Sequence, residues 1–151
     1  MDAATADSNL AAEAVGRAMM AGDAASRALG IVLETIRPGF ARARMQVRSD
    51  MVNGHGRCHG GLIFTLADTA FACACNSRNA KSVAHVAQIN FIAAAQVGEI
   101  LTAEAGEVSA TGRTGIYDVT VRRGDGEIVA LFRGNSYRIK GEVVSDLNKQ
   151  P

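Results

Sequence analysis

The chain lacks tryptophan altogether, and aromatic residues make up only 5% of it. A surface that stacks nucleic-acid bases is built from such side chains, so this scarcity argues against one. An excess of one charge is missing as well: 16 Lys and Arg stand against 15 Asp and Glu, for a net charge of +1. So even a balance provides no general attraction to nucleic acid or to an anionic membrane. The cysteines number three, an odd count without framework spacing, which fits a reducing compartment rather than a disulfide scaffold. Residues 1–10 carry neither the basic nor the apolar segment of a secretory signal, and the expected location is the cytoplasm. Repeats, linkers and low-complexity runs are also absent.

What is present is apolar and small. Hydrophobic residues reach 48% of the 151, enough for one domain with a real core. The most informative stretch runs from Asn53 to Asn76. Its first half is a polar, glycine-rich loop. From Leu62 to Cys75 only Thr65, Asp68 and Thr69 interrupt the apolar residues, so the second half reads as a helix buried nearly all round. It is too short and too interrupted to cross a membrane. Asp68 is the anomaly, because a carboxylate inside such a helix costs several kcal/mol or so unless it is paired or neutral. No Arg or Lys lies within four residues of it. It is either a structural Asp bonded to distant groups or a carboxylate kept for chemistry. His55, Cys58 and His59 crowd the loop, but with no second cluster elsewhere no metal site is expected.

Around this stretch the pattern is mostly strand. Residues 1–9 read as disordered, and the Ala-rich segment from Leu10 to Ala28 as one or two helices, with Asn9 and Asp23 as N-caps and Gly30 as the stop. Ile31–Ile36 and Ala41–Arg48 form a hairpin, the second strand alternating Ala41, Ala43, Met45 and Val47 against Arg42, Arg44, Gln46 and Arg48. Phe40 breaks that alternation and is assigned to the turn. Four more strands complete the chain: Val83–Ile92, Ile100–Ser109, Thr114–Arg122 and Glu127–Ile139. The expected class is α+β, an antiparallel sheet of five to six strands over one central helix. Residues 1–29 are an N-terminal extension with helix, 30–140 the domain, and 141–151 a loose tail. A single sheet leaves an edge to protect, so a dimer is the expected minimum and a homotetramer, a dimer of dimers, the fuller assembly.

The motif His59-Gly60-Gly61-x-x-Phe64-x-Leu66-Ala67-Asp68-x-Ala70-Phe71-x-x-Ala74-x-Asn76 resembles the signature of the PaaI-type acyl-CoA thioesterases of phenylacetic acid degradation. Val129–Ile139 is similar to the last strand of that family, and the likeness runs over about residues 30–140. The resemblance implies a hot-dog fold, a curled sheet wrapping the central helix. It also implies hydrolysis of an acyl-CoA to free acid and CoA, with the CoA ester as substrate and no cofactor. Phenylacetyl-CoA and its ring-hydroxylated relatives are the implied substrates, with medium-chain acyl-CoA as the alternative.

The residues suit that chemistry. Free amides and the positive end of the helix dipole meet at His59-Gly60-Gly61, where bare glycines let a carbonyl approach. Asp68 lies roughly 11–12 Å further along the axis, too far to serve the same carbonyl within one chain. Gly60 of one subunit facing Asp68 of another would close the gap, which is also what the resemblance implies. Asp68 would act as nucleophile or general base. Asn53 and His59 match family positions near the carbonyl. Gly61, Phe64, Thr69 and Phe71 are the substrate-binding candidates, although Thr69 could equally bond the preceding helical turn. Asn76 reads as a helix-end residue. Where the family often carries Arg-Pro, this chain has Ala93-Ala94, so the CoA phosphates have no evident partner; Arg113, Arg133, Arg138 and Lys140 remain candidates. Two alternatives stand beside the thioesterase. Asp50, Asn53 and His55 resemble an enoyl-CoA hydratase motif with the wrong spacing and no proline, and a non-catalytic acyl-CoA-binding module would not need Asp68.

Overall fold

The computed structural model describes residues 1–147. Six strands form one antiparallel sheet: β1 (Val32–Arg37), β2 (Phe40–Gln46), β3 (Ala80–Phe91), β4 (Ile100–Thr111), β5 (Thr114–Arg122) and β6 (Ile128–Glu142), in the order β1-β2-β4-β5-β6-β3. Helix α3 (Gly60–Asn76) packs against all six, so the sheet curls about it in the hot-dog manner. A short 3-10 turn (Ser49–Met51) precedes the glycine-rich loop. Helices α1 (Ala3–Gly22) and α2 (Ala24–Ala28) lie outside this core, with α1 on β1 and α2 on α3.

The alternating strands bury the faces their sequences select. Ala41, Ala43, Met45 and Val47 of the hairpin, Leu101, Ala103 and Ala105 of β4, and Tyr117, Val119 and Val121 of β5 all point at α3 and are buried. On α3 itself only Gly61 is exposed; Ile63, Leu66, Ala67, Ala70, Phe71, Cys73 and Ala74 are buried. Phe71 is the largest of these, set edge-on to Tyr117 at 5.7 Å and tilted against Phe132 at 5.8 Å. Its ring occupies the space a Cβ would need at Gly134, 2.7 Å away.

Four expectations are corrected. Residues 3–9 are helical, because Asp2 caps α1 by accepting the Thr5 amide at 2.8 Å and alanines carry the later turns. Asn9 therefore lies inside α1 rather than capping it. Phe40 belongs to β2, paired with Arg37 and Gly106, and its ring is covered by the Arg37 guanidinium at 4.2 Å. The chain after Gly141 is not loose at its start: β6 runs to Glu142, and Asn79 exchanges side-chain bonds with the Val144 amide (2.8 Å) and carbonyl (2.9 Å). Residues 148–151 of the expected tail lie outside the described residues.

One edge stands out. β3 has β6 on one side and no neighbour on the other among the described residues, and from Val83 to Gln88 it is exposed on both faces. A twelve-residue strand this apolar, with Val83, Val86 and Phe91 each more than two-fifths exposed, is an invitation to pair. A Cβ at Gly134 has nowhere to go except into the buried Phe71 ring. Gly134→Ala is therefore expected to cost about 1–3 kcal/mol by overpacking, measured by urea denaturation, with the far-UV spectrum of the folded state unchanged.

Candidate active site

The site begins at the loop that feeds α3. Asn53 Oδ1 accepts the amides of His55 (2.9 Å) and Arg57 (3.2 Å), while its own amide donates to the Arg57 carbonyl at 2.7 Å. This ties the loop into a tight ring. The His59 amide donates to the Met51 carbonyl and the Cys58 amide to the Ala95 carbonyl, both at 2.8 Å, so the loop's end is fixed to the frame. His59 is the N-cap of α3: its Nδ1 accepts the Gly61 amide at 3.0 Å. The amides of Leu62 and Ile63 both donate to the His59 carbonyl. Among the described residues that leaves the Gly60 N–H as the first-turn donor without an acceptor, at the positive end of the helix dipole.

A cleft of about 460 Å³ opens onto that amide. Asn53, His55 and Arg57 form its polar rim, and Ile63, Phe91, Ile92, Ala93 and Ala94 its apolar wall. Phe91, at the end of β3, lies over Gly60: a Cβ there would stand 3.0 Å from the ring. Only glycine allows both the ring and a substrate carbonyl to come close. A larger cleft of about 670 Å³, between α1 and β1, shares none of these residues.

Asp68 sits in the middle of α3, half-buried, with no hydrogen-bond or ion-pair partner among the described residues. Burial raises its carboxyl above the ordinary aspartate range, and the like charge of Asp23 raises it further. Thr69, beside it, has its one hydroxyl proton within reach of both the Thr65 carbonyl and the Ser26 hydroxyl, each at 2.8 Å. Its hydroxyl is thus engaged inside the protomer. Phe64 packs edge-on to Phe132 at 5.3 Å and is partly open, whereas Phe71 is enclosed in the core. Asn76, the last residue of α3, holds β3: its Oδ1 accepts the Ser82 amide (2.9 Å) and its Nδ2 donates to the Ser82 carbonyl (3.1 Å).

Asn53, His59, Gly60 and Gly61 therefore share one end of α3, while Asp68 and Thr69 lie at its middle, about 12 Å along the axis. Asp50 turns to Arg48, with its Oδ1 3.0 Å from the Arg48 Nε, away from any shared role with Asn53. Among the described residues no three His, Cys, Asp or Glu side chains converge, and no helix is long and apolar enough to cross a membrane. Burial pushes the Cys73 and Cys75 thiols up to about 12, so neither is a thiolate nucleophile. At the Ala93-Ala94 departure, Arg123 from the β5–β6 turn donates to the Ala94 carbonyl at 2.9 Å and pairs with Asp125 and Glu127. Arg133 is likewise engaged, bidentate to Asp118. Phe91, Asp23 and Ser26 carry no sequence signal for the site, since what places them there is contact across the fold.

Comparison with known proteins identifies the family and the fold. Residues 55–130 match the family model of the thioesterase superfamily. The chain is 43% identical over 129 residues to the acyl-coenzyme A thioesterase PaaI of Escherichia coli strain K12, covering 85% of this chain and 92% of that one. The solved structure of the E. coli PaaI protein, from the phenylacetic acid degradation operon, superposes with a TM-score of 0.87 at 42% identity, over 89% of this chain and 97% of that chain. A mutant of the phenylacetic acid degradation protein PaaI from Thermus thermophilus superposes at 0.75 with 37% identity, over 78% of this chain and 100% of that chain.

An unpartnered carboxylate in a helix core should weigh on stability. Asp68 is easier to ionise unfolded than folded, so its ionised form opposes folding. That penalty is absent below the ordinary aspartate range and grows as pH rises through the higher folded value. Asp68→Asn is accordingly expected to unfold at a higher temperature than wild type at neutral pH, with the gap closing toward about pH 4, near the ordinary aspartate value, read from thermal melts across pH.

Proposed function

The chain belongs to the thioesterase superfamily and, within it, is a PaaI-type acyl-CoA thioesterase; from that premise we propose that it hydrolyses aryl-acetyl-CoA esters at sites shared between two subunits. One observation carries the proposal. One helix bears an amide at Gly60 and a carboxylate at Asp68, both without a partner among the described residues and too far apart to meet on one carbonyl.

The path of β3 supports the way two chains would complete each other. The strand starts beside the end of α3, where Asn76 holds Ser82, and finishes with Phe91 over Gly60. It therefore runs opposite to α3. Antiparallel pairing of two β3 edges would carry the Gly60 end of one subunit along α3 of the other, toward Asp68. The two-fold axis would then pass at the level of Phe64, midway between them and nearer the Phe91 end of the strand. Pairing centred there would also cover the Phe91 end of the exposed β3 edge, and a dimer of dimers is the proposed assembly beyond it.

In the proposed reaction the thioester carbonyl accepts the Gly60 N–H as negative charge develops on its oxygen, an interaction that could contribute about 3 kcal/mol to the barrier. Asp68 of the other subunit attacks the carbonyl carbon, expelling CoA thiolate and leaving a mixed anhydride that water opens; alternatively it takes a proton from the attacking water. Either route yields a carboxylic acid and CoA without a cofactor. The loop ring around Asn53 and the His59 cap hold the Gly60 amide in place, and the cleft lined by Ile63, Phe91 and Ile92 takes the apolar part of the substrate. The named E. coli and T. thermophilus proteins of phenylacetic acid degradation support phenylacetyl-CoA or its ring-hydroxylated relatives, with medium-chain acyl-CoA as the second choice. The unpaired cysteines suit a cytoplasmic setting.

A panel of aryl-acetyl, benzoyl and straight-chain acyl-CoAs, assayed by free-thiol release, tests the reading. Wild type is expected to favour aryl-acetyl esters, and Asp68→Asn to lose about 10²–10⁴-fold in kcat/KM while keeping its oligomeric state. Gly60→Ala should retain the fold, since the ring it meets is exposed, yet lower kcat by obstructing the amide. Acyl-CoA binding without turnover in wild type would refute the enzyme; full turnover in Asp68→Asn would refute the mechanism.

A further inference from the structure

Among the described residues one charge bears on Asp68 within the protomer, and it comes from outside the sheet-and-helix core. It is Asp23, in the turn between α1 and α2. Its position is closely determined. Oδ1 accepts the Ser26 amide at 2.9 Å, capping α2, and Oδ2 accepts the Ser26 hydroxyl at 2.6 Å. The Ser26 oxygen lies 2.8 Å from the Thr69 hydroxyl, and both side chains are buried, at 1% and 7% exposure. With the Ser26 proton on Asp23, the Ser26 oxygen takes the Thr69 proton in place of the Thr65 carbonyl, and Thr69 is the residue next to Asp68. A line of hydrogen bonds thus leads from Asp23 to the helix that carries the working carboxylate. A cleft of about 360 Å³, lined among others by Met20, Asp23, Thr69 and Cys73, runs along this contact.

Two buried hydroxyls between helices are an expensive way to attach an extension, because each must stay bonded. Apolar contacts would do for attachment alone. What the polar arrangement adds is a fixed negative charge. We propose that Asp23 is a positioning residue of the reaction, a second carboxylate that the Ser26–Thr69 clamp fixes beside Asp68, so that the α1–α2 extension governs how readily Asp68 takes and releases a proton. The inference rests on the reading of Asp68 as the working carboxylate.

The surroundings leave room for this control. Burial is the larger influence on Asp68 and the Asp23 charge the second. On α3 the thiols of Cys73 and Cys75 are pushed up to about 12 and stay neutral. Among the described residues no charged side chain from the strands packed on α3 bears on Asp68. The proposed dimer would add the partner's His59, at the Gly60 end. A base works best when its proton affinity lies near the working pH, so a neighbouring negative charge moves Asp68 in the useful direction.

The test is the titration of the Asp68 carboxyl carbon by NMR in the full-length protein, together with the pH profile of kcat/KM. Asp23→Asn and Asp23→Ser both keep a side chain that can cap α2 but remove the charge. Both are expected to titrate Asp68 at lower pH than wild type and to move the acid limb of kcat/KM down by the same interval. Ser26→Ala keeps the charge and should shift either readout less. An unchanged Asp68 titration in either folded Asp23 variant, or in Ser26→Ala, would overturn the proposal. Turnover surviving Asp68→Asn would instead remove the site reading, and the proposal with it, whatever the titration gives.

Discussion

The structure depends on one unbroken helix being enclosed by its own sheet. Because α3 is buried on nearly every side, the strands around it can use small alternating residues, and its first turn is where it opens to solvent. At its start the loop satisfies the amides of Gly61, Leu62 and Ile63 and leaves Gly60 bare. At its finish Asn76 ties the helix to β3. Rigidity then has a consequence: a donor at the N-terminus and a carboxylate at the midpoint cannot approach each other. A helix that holds both groups so firmly fits a site completed from elsewhere.

The same enclosure explains why Asp68 is costly and suited to its proposed task. A solvated aspartate would be a weak base at neutral pH. Half-buried, without a cation and beside Asp23, the Asp68 carboxyl is raised by the same desolvation that opposes folding. The apolar bulk around it, with Phe71 wedged against Gly134 and Tyr117, offsets that burden. Marginal stability at the site and firm packing one turn away are thus two sides of one arrangement.

Much of this is legible in the residues alone, for identifiable reasons. Hydrophobic period is a local property, so α3 and the inward faces of β2, β4 and β5 emerge directly from spacing, and the odd carboxylate in an apolar helix marks itself. The features that escape a sequence reading depend on partners, near or distant, that hydrophobic period does not reveal. Phe40 breaks the alternation and reads as turn because nothing local says that Arg37 will cover its ring on the wet face. The acidic, polar start reads as disorder because a solvated helix shares that composition, and a single cap at Asp2 decides the matter. Thr69 is ambiguous between substrate and helix because its resolving partner, Ser26, is forty-three residues away. Phe91 draws notice in the sequence only as the neighbour of the Ala93-Ala94 departure, whereas its place over Gly60 arises when β3 folds back along α3.

The departure at Ala93-Ala94 shows how the fold redistributes a role. A cation and a proline there would stiffen the chain after β3 and present a charge at the cleft. Here the stiffening comes from another element: Arg123 reaches from the β5–β6 turn to the Ala94 carbonyl, and its remaining donors go to Asp125 and Glu127. The segment is held, but the guanidinium is consumed in holding it. The cleft wall therefore stays apolar from Phe91 to Ala94, and the cation left at its edge is Arg57, on the loop side, whose side chain has no partner among the described residues. The apolar wall and the Gly60 amide meet at one opening, with the Phe91 ring over Gly60. The polar rim is carried by the same Asn53-centred loop that orients Gly60, so a change in that loop would alter binding and chemistry together.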